Sequence, residues 1–119
     1  MQALPPNKGQ TILILNIKPL SVNQAWQGRR FKTNKYKLFQ KEMLLILPKL
    51  KSKFKGDLKV SICYGFSNKL SDIDNPTKLV LDILCKKYGF DDRQIYVLNQ
   101  TKEIVKKGKD FISINIEQI

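Results

Sequence analysis

No histidine occurs among the 119 residues, and that absence removes more chemistry than any other feature of the composition. Serine–histidine and cysteine–histidine nucleophile pairs are excluded, as is an imidazole general base, which leaves carboxylates, lysine and metal-bound water. Only two cysteines are present, Cys63 and Cys85, 22 residues apart and without a partner motif, so a zinc site of the Cys/His kind lacks its ligands. Each reads instead as a small apolar residue in the core. Long apolar runs are missing too: nothing approaches the roughly 18 uncharged residues of a membrane span. The opening Met1-Gln-Ala-Leu-Pro-Pro-Asn-Lys8 lacks the apolar segment of a secretory signal. The expectation is a soluble, cytoplasmic protein that does not engage a membrane.

Acids are scarce, ten against 22 Lys and Arg, for a net charge of +12. Residues 1–57 hold twelve of the basic residues and two acids, while residues 58–119 hold ten and eight. Five of the ten acids fall between Asp72 and Asp92. A positive field around a small acidic spot suits an enzyme acting on a polyanion, because the field gathers the chain while the carboxylates hold the cations that act on it. A basic module that binds nucleic acid without cutting it fits the same charge.

The length suits one domain spanning residues 1–119, with a 42% apolar content sufficient for one core. Residues 1–10, with two prolines and a glycine, read as a loose N-terminal arm. Thr11 to Ile17 is a continuous apolar run, which predicts a strand covered on both faces and central in its sheet. From Lys18 to Thr33 the pattern disappears into a long connection. There Asn23 and Trp26 stand near Arg29, Arg30, Phe31, Lys32 and Lys35, stacking faces beside phosphate-binding cations, although Trp26 reads first as an anchor of the loop on the core. Tyr36, Phe39, Met43, Ile46 and Leu47 predict one apolar face of a helix capped by Thr33 or Asn34 and ended by Pro48.

Leu58, Val60, Ile62, Tyr64 and Phe66 alternate with polar or small residues and predict the clearest strand. A second helix runs from about Asn75 to Tyr88, with Asn75 as cap, Pro76 at its first position and Gly89 as its left-handed stop. Ile95 to about Val105 and Phe111 to Ile116 predict two strands joined by a hairpin turn over Lys106–Asp110. The sum is an α+β fold, two main helices on one face of a mixed sheet.

The chemistry centres on Asp72 and Asp74, set just ahead of the second helix, with Lys78 about one turn on and Asp91-Asp92 beyond the helix. Carboxylates with substrate phosphates suffice to hold Mg²⁺, and a nearby lysine can offset charge building on a phosphate. Aspartates are also common helix caps, and Asp74, Lys78, Asp82 and Lys86 at four-residue steps can form a solvated charge ladder. Because that helix is roughly 22 Å long, Asp91-Asp92 can approach Asp72 and Asp74 only by a fold-back of the chain or from a second subunit.

Asp72-Ile-Asp74-Asn75-Pro-Thr-Lys78, the apolar helix containing Asp82, and Gly89-Phe-Asp91-Asp92-Arg-Gln94-Ile95 together resemble the signature of the RusA family of Holliday junction resolvases. Pro19-Leu-Ser21-Val-Asn23 and Trp26 resemble that family's N-terminal element. The resemblance implies a RusA-like fold and a homodimeric, Mg²⁺-dependent endonuclease that nicks four-way DNA junctions symmetrically in recombination and repair, with Mn²⁺ as a substitute ion and no small-molecule cofactor. It implies Asp72, Asp74 and Asp92 as metal ligands, with Asp91 the alternative third acid, and Lys78 as the catalytic lysine. A carboxylate-metal nuclease acting on another DNA form is the neighbouring reading, and Lys, Ile, Leu and Asn richness hints at a phage or prophage source.

Overall fold

Strict alternation from Leu58 to Phe66 puts Leu58, Val60, Ile62, Tyr64 and Phe66 on one buried face, and this strand organises the sheet. The computed structural model describes residues 2–4, 10–27, 31–50, 54–73 and 76–119. In chain order the elements are β1 (Gln2–Leu4), β2 (Gln10–Leu15), α1 (Val22–Ala25), β3 (Trp26–Gln27), β4 (Phe31–Lys32), α2 (Asn34–Ile46), β5 (Leu58–Phe66), α3 (Thr77–Tyr88), a 3-10 turn (Asp92–Gln94), β6 (Ile95–Ile104) and β7 (Phe111–Gln118). The fold is α+β: a five-stranded mixed sheet in the order β1-β2-β7-β5-β6, with a two-stranded β3-β4 ribbon beside it.

Side chains of β2, β5, β7, α2 and α3 meet in one apolar cluster that includes Leu13, Leu15, Tyr36, Met43, Ile83, Leu84, Ile112 and Ile114. The opposite sheet face carries Ser61, Cys63, Ser113 and Asn115, all partly buried. Gly65 pairs with Phe111 across β5 and β7, and a Cβ there would run into the Phe111 ring, so the close packing requires glycine. Thr33 caps α2 by accepting from the Tyr36 N–H at 3.2 Å. Gly89, at φ 73°, ends α3, and its N–H reaches the Cys85 carbonyl at 2.8 Å.

Four sequence expectations need correction. The run beginning at Thr11 is not central: β2 lies second from the edge, and Ile14 is exposed because only Leu13 and Leu15 face the core. Part of the N-terminal arm is strand, since Gln2–Leu4 pairs antiparallel with β2; residues 1 and 5–9 lie outside the described residues.

The connection from Lys18 to Thr33 contains α1 and the β3-β4 pair, pinned where the Thr33 hydroxyl donates to the Gln24 carbonyl at 2.6 Å. The Lys106–Asp110 segment joins no hairpin, because β5 lies between β6 and β7, parallel to the first and antiparallel to the second. That segment instead wraps the end of β5, with Val105 N–H on the Phe66 carbonyl and Asp110 accepting from Ser67 N–H and hydroxyl.

Candidate functional site

β5, α3 and β6 form a parallel strand–helix–strand unit, so α3 crosses the sheet against the direction of both strands. The residues after α3 return along its outer side, but Asp92 stays at the end of the unit opposite Asp72, so the chain does not by itself fold these acids together. Lys78, Leu81 and Asp82 of α3 face Leu98 and Gln100 of β6 across a groove of about 280 Å³, with Thr77 and Asp92 completing it. Asp82 therefore belongs to the groove rather than to a ladder on free solvent, and one subunit suffices to bring Asp92 and Lys78 into it.

α3 begins at Thr77, not Asn75: Pro76 occupies the cap position without a side-chain hydrogen bond, and its carbonyl accepts from Val80 N–H at 3.1 Å. Thr77 is a buried polar residue, and its hydroxyl holds a relay. The Tyr64 hydroxyl lies 2.7 Å from Thr77 Oγ1, which donates to Gln100 Oε1. Burial raises the Tyr64 pKa well above that of a free phenol, so its hydroxyl stays protonated.

The adjacent acids differ in their work. Asp91 caps the 3-10 turn, accepting from Arg93 N–H at 2.9 Å while its own N–H donates to Gln94 Oε1 at 2.8 Å. It also pairs with the Arg93 guanidinium at 3.0 Å. That side-chain bond and the Arg93 N–H lower its pKa to about 2. Asp91 lines a separate depression with Gly56, Asp57 and Tyr96. Asp92, its carboxyl beside that of Asp91, lines the groove. Cys85 registers it: burial first, then the charges of Asp92, Asp82 and Asp91, push the thiol up to about 11. The turn is held by Phe90, packed edge-on against Phe54 at 5.7 Å.

Asp72 is exposed and lines a different cleft, of about 360 Å³, with Lys18, Pro19, Ser21, Gln24, Ser67 and Asp110 among its walls. Two sequence elements about fifty residues apart thus meet there. Asp74 lies outside the described residues with Asn75, as do Arg29 and Arg30; the side chains of Asn23 and Trp26 are likewise outside the description, their backbones falling in α1 and β3. Lys35 is exposed on α2, while Lys32 reaches Gln40 Oε1 at 3.4 Å and stands 5.1 Å over the Tyr36 ring. Sequence reading missed Thr77, Gln100 and Asp110. The one available signal was a polar residue at an inward position of β6, where Ile62 pairs with Gln100.

Among the described residues no three Asp, Glu or Cys side chains gather closely enough to hold a metal ion. The donor chemistry of Asp72, Asp82 and Asp92 is all oxygen, which fits a hard cation such as Mg²⁺ or Mn²⁺. No helix is long and apolar enough to cross a membrane among the described residues. Compared with protein-family models and with curated proteins, the chain matches none.

Proposed function

We propose that the chain is a Mg²⁺-dependent endonuclease of the RusA type that nicks four-way DNA junctions, acting as a homodimer. The observation that carries this reading is the groove in which Asp92, from beyond α3, faces the same space as Lys78 near its start. The cleft joining Pro19 and Ser21 to Asp72 supports it, because the N-terminal element and the Asp72 block of the sequence signature then border the same end of α3.

Asp72 and Asp74, ahead of α3, would hold the cation together with phosphate oxygens of the substrate, and Asp92, at the other end of α3, would join them from the second subunit of the dimer. When bound, Mg²⁺ supplies Lewis-acid polarisation of the phosphate and eases deprotonation of water. Lys78 neutralises charge that grows on the phosphate as the bond to the leaving oxygen breaks. The basic residues concentrated in residues 1–57 gather the DNA. A two-fold junction needs two equivalent nicks, and a two-fold dimer supplies two sites.

The test is a labelled synthetic four-way junction incubated with purified protein and Mg²⁺, beside fork and linear duplex controls. Paired nicks near the branch point are expected, with Asp74→Asn binding but not cutting; cutting of all three DNAs alike points to a nuclease without junction selectivity. The lack of a three-acid cluster among the described residues favours one rival, a non-catalytic DNA-binding module. That rival predicts salt-sensitive binding indifferent to Mg²⁺ and no nicked product.

A further inference from the structure

The groove between α3 and β6 is polarised along its length. Because α3 runs against β6, Gln100 lies beside Thr77 and Lys78 at the first turn of the helix, while Asp92, ahead of β6, lies nearer Cys85 in the later turns. One end therefore carries an ammonium and a carboxamide, and the other carries the carboxylates of Asp82 and Asp92. Lys102, two residues beyond Gln100 on the same side of β6, adds a second ammonium near the first end and ties it down by donating to the Ser71 carbonyl at 2.8 Å.

The hydrogen-bond relay decides which way the Gln100 carboxamide points. Its Oε1 can only accept, so the Thr77 hydroxyl donates to it. Having spent its proton there, Thr77 Oγ1 accepts from the Tyr64 hydroxyl, a buried group with no competing solvent. With Oε1 engaged by Thr77, the two N–H donors of Nε2 are left for a ligand in the groove that Gln100 lines.

We propose that Gln100 is a substrate-contacting residue, its Nε2 donating to a non-bridging phosphate oxygen of the DNA backbone beside Lys78, with Thr77 and Tyr64 as positioning residues that hold the amide in that orientation. The contact deepens the nuclease reading and rests on it for the identity of the substrate. A donor fixed in place by a buried relay loses little freedom on binding, unlike the long lysine side chains around it.

The experiment measures binding of a fluorescent four-way junction in EDTA by anisotropy, then nicking in Mg²⁺. Gln100→Glu keeps an oxygen for the Thr77 hydroxyl and replaces the outward donors with a charged oxygen. It should weaken binding about tenfold or more at neutral pH, with unchanged melting temperature. The groups facing position 100 are Lys78, Lys102, Asp82 and Asp92. Binding by Gln100→Glu should recover toward acid pH relative to wild type, as the new carboxyl protonates and regains a donor.

Thr101→Glu, the same charge change on the opposite face of β6, should bind within about twofold of wild type. Thr77→Val should weaken binding and Thr77→Ser should restore it. Equal losses from Gln100→Glu and Thr101→Glu, or wild-type binding and nicking by Gln100→Glu, overturn this inference and leave the nuclease reading standing. Wild-type binding without any nicking, with the Gln100→Glu defect present, does the reverse. A wild-type chain with no affinity for DNA overturns both.

Discussion

The two depressions that flank the start of α3 are built by different means. The Asp72 cleft is walled largely by connecting segments, the stretch after β2 and the ends of β5 and of the Lys106–Asp110 wrap. The groove facing Asp92 is walled by a helix and a strand, whose backbone hydrogen bonds set the spacing of Lys78, Asp82, Leu98 and Gln100. Residues on regular elements are held within tighter limits than residues on loops. The groove is therefore the preorganised half of the candidate site, and the cleft the half whose shape depends on a few side-chain contacts such as Asp110 with Ser67.

The largest effect that could break this contrast is chemical. Asp92→Asn should lower junction nicking more than about a hundredfold, with DNA binding in EDTA retained; Asp91→Asn, one residue away, should leave nicking within a few-fold. Equal losses from the two would abolish the division of labour between cap and groove.

Next comes Tyr64→Phe, which deletes the buried donor to Thr77 and should cost about 1 kcal/mol in denaturant unfolding. A larger and comparable cost from Asp110→Asn would show the cleft to be as rigid as the groove. The expected cost of Asp110→Asn is smaller, since its bonds to Ser67 are long, 3.2 and 3.3 Å.

The pH dependence of stability offers a gentler test. Asp91 has its carboxyl lowered from 3.8 to about 2 in the folded chain, chiefly by Arg93. Its contribution is therefore present above pH 3.8 and fades as pH falls toward 2, the range where the folded carboxylate alone stays ionised. Arg93→Ala should flatten the acid limb of the melting profile over that interval. The smallest expected change concerns Cys85, held at about 11 by burial and by the charges led by Asp92. Asp92→Asn in a Cys63→Ser background should speed alkylation of Cys85 at mildly alkaline pH by a few-fold, and unchanged alkylation would move Asp92 out of the groove.

Much of the fold could be read in advance where a single element declares itself. Alternation over Leu58–Phe66, the Thr33 cap with Tyr36, Phe39 and Met43 behind it, and Gly89 as a left-handed stop are all local signals, and each appears as expected. Reading failed where burial depends on a neighbour in space. The run at Thr11 looked central because Ile12 to Leu15 are apolar without a break, yet only alternate residues meet the core. Lys106–Asp110 looked like a hairpin because two strands follow each other, yet β5 inserts between them.

The same division runs through the candidate site. Sequence by itself determined which chemistry is available: carboxylates and lysine in a histidine-free, strongly basic chain, with acids grouped around one helix. Those are properties of residue type and spacing, and folding cannot change them. Tertiary structure alone decided that Asp91 caps a turn while Asp92 enters a groove, and that Thr77, Tyr64 and Gln100 form one relay. The reason is that a parallel crossover sets residues distant in sequence side by side, and one short turn takes Asp91 as its cap while its neighbour Asp92 lines the groove.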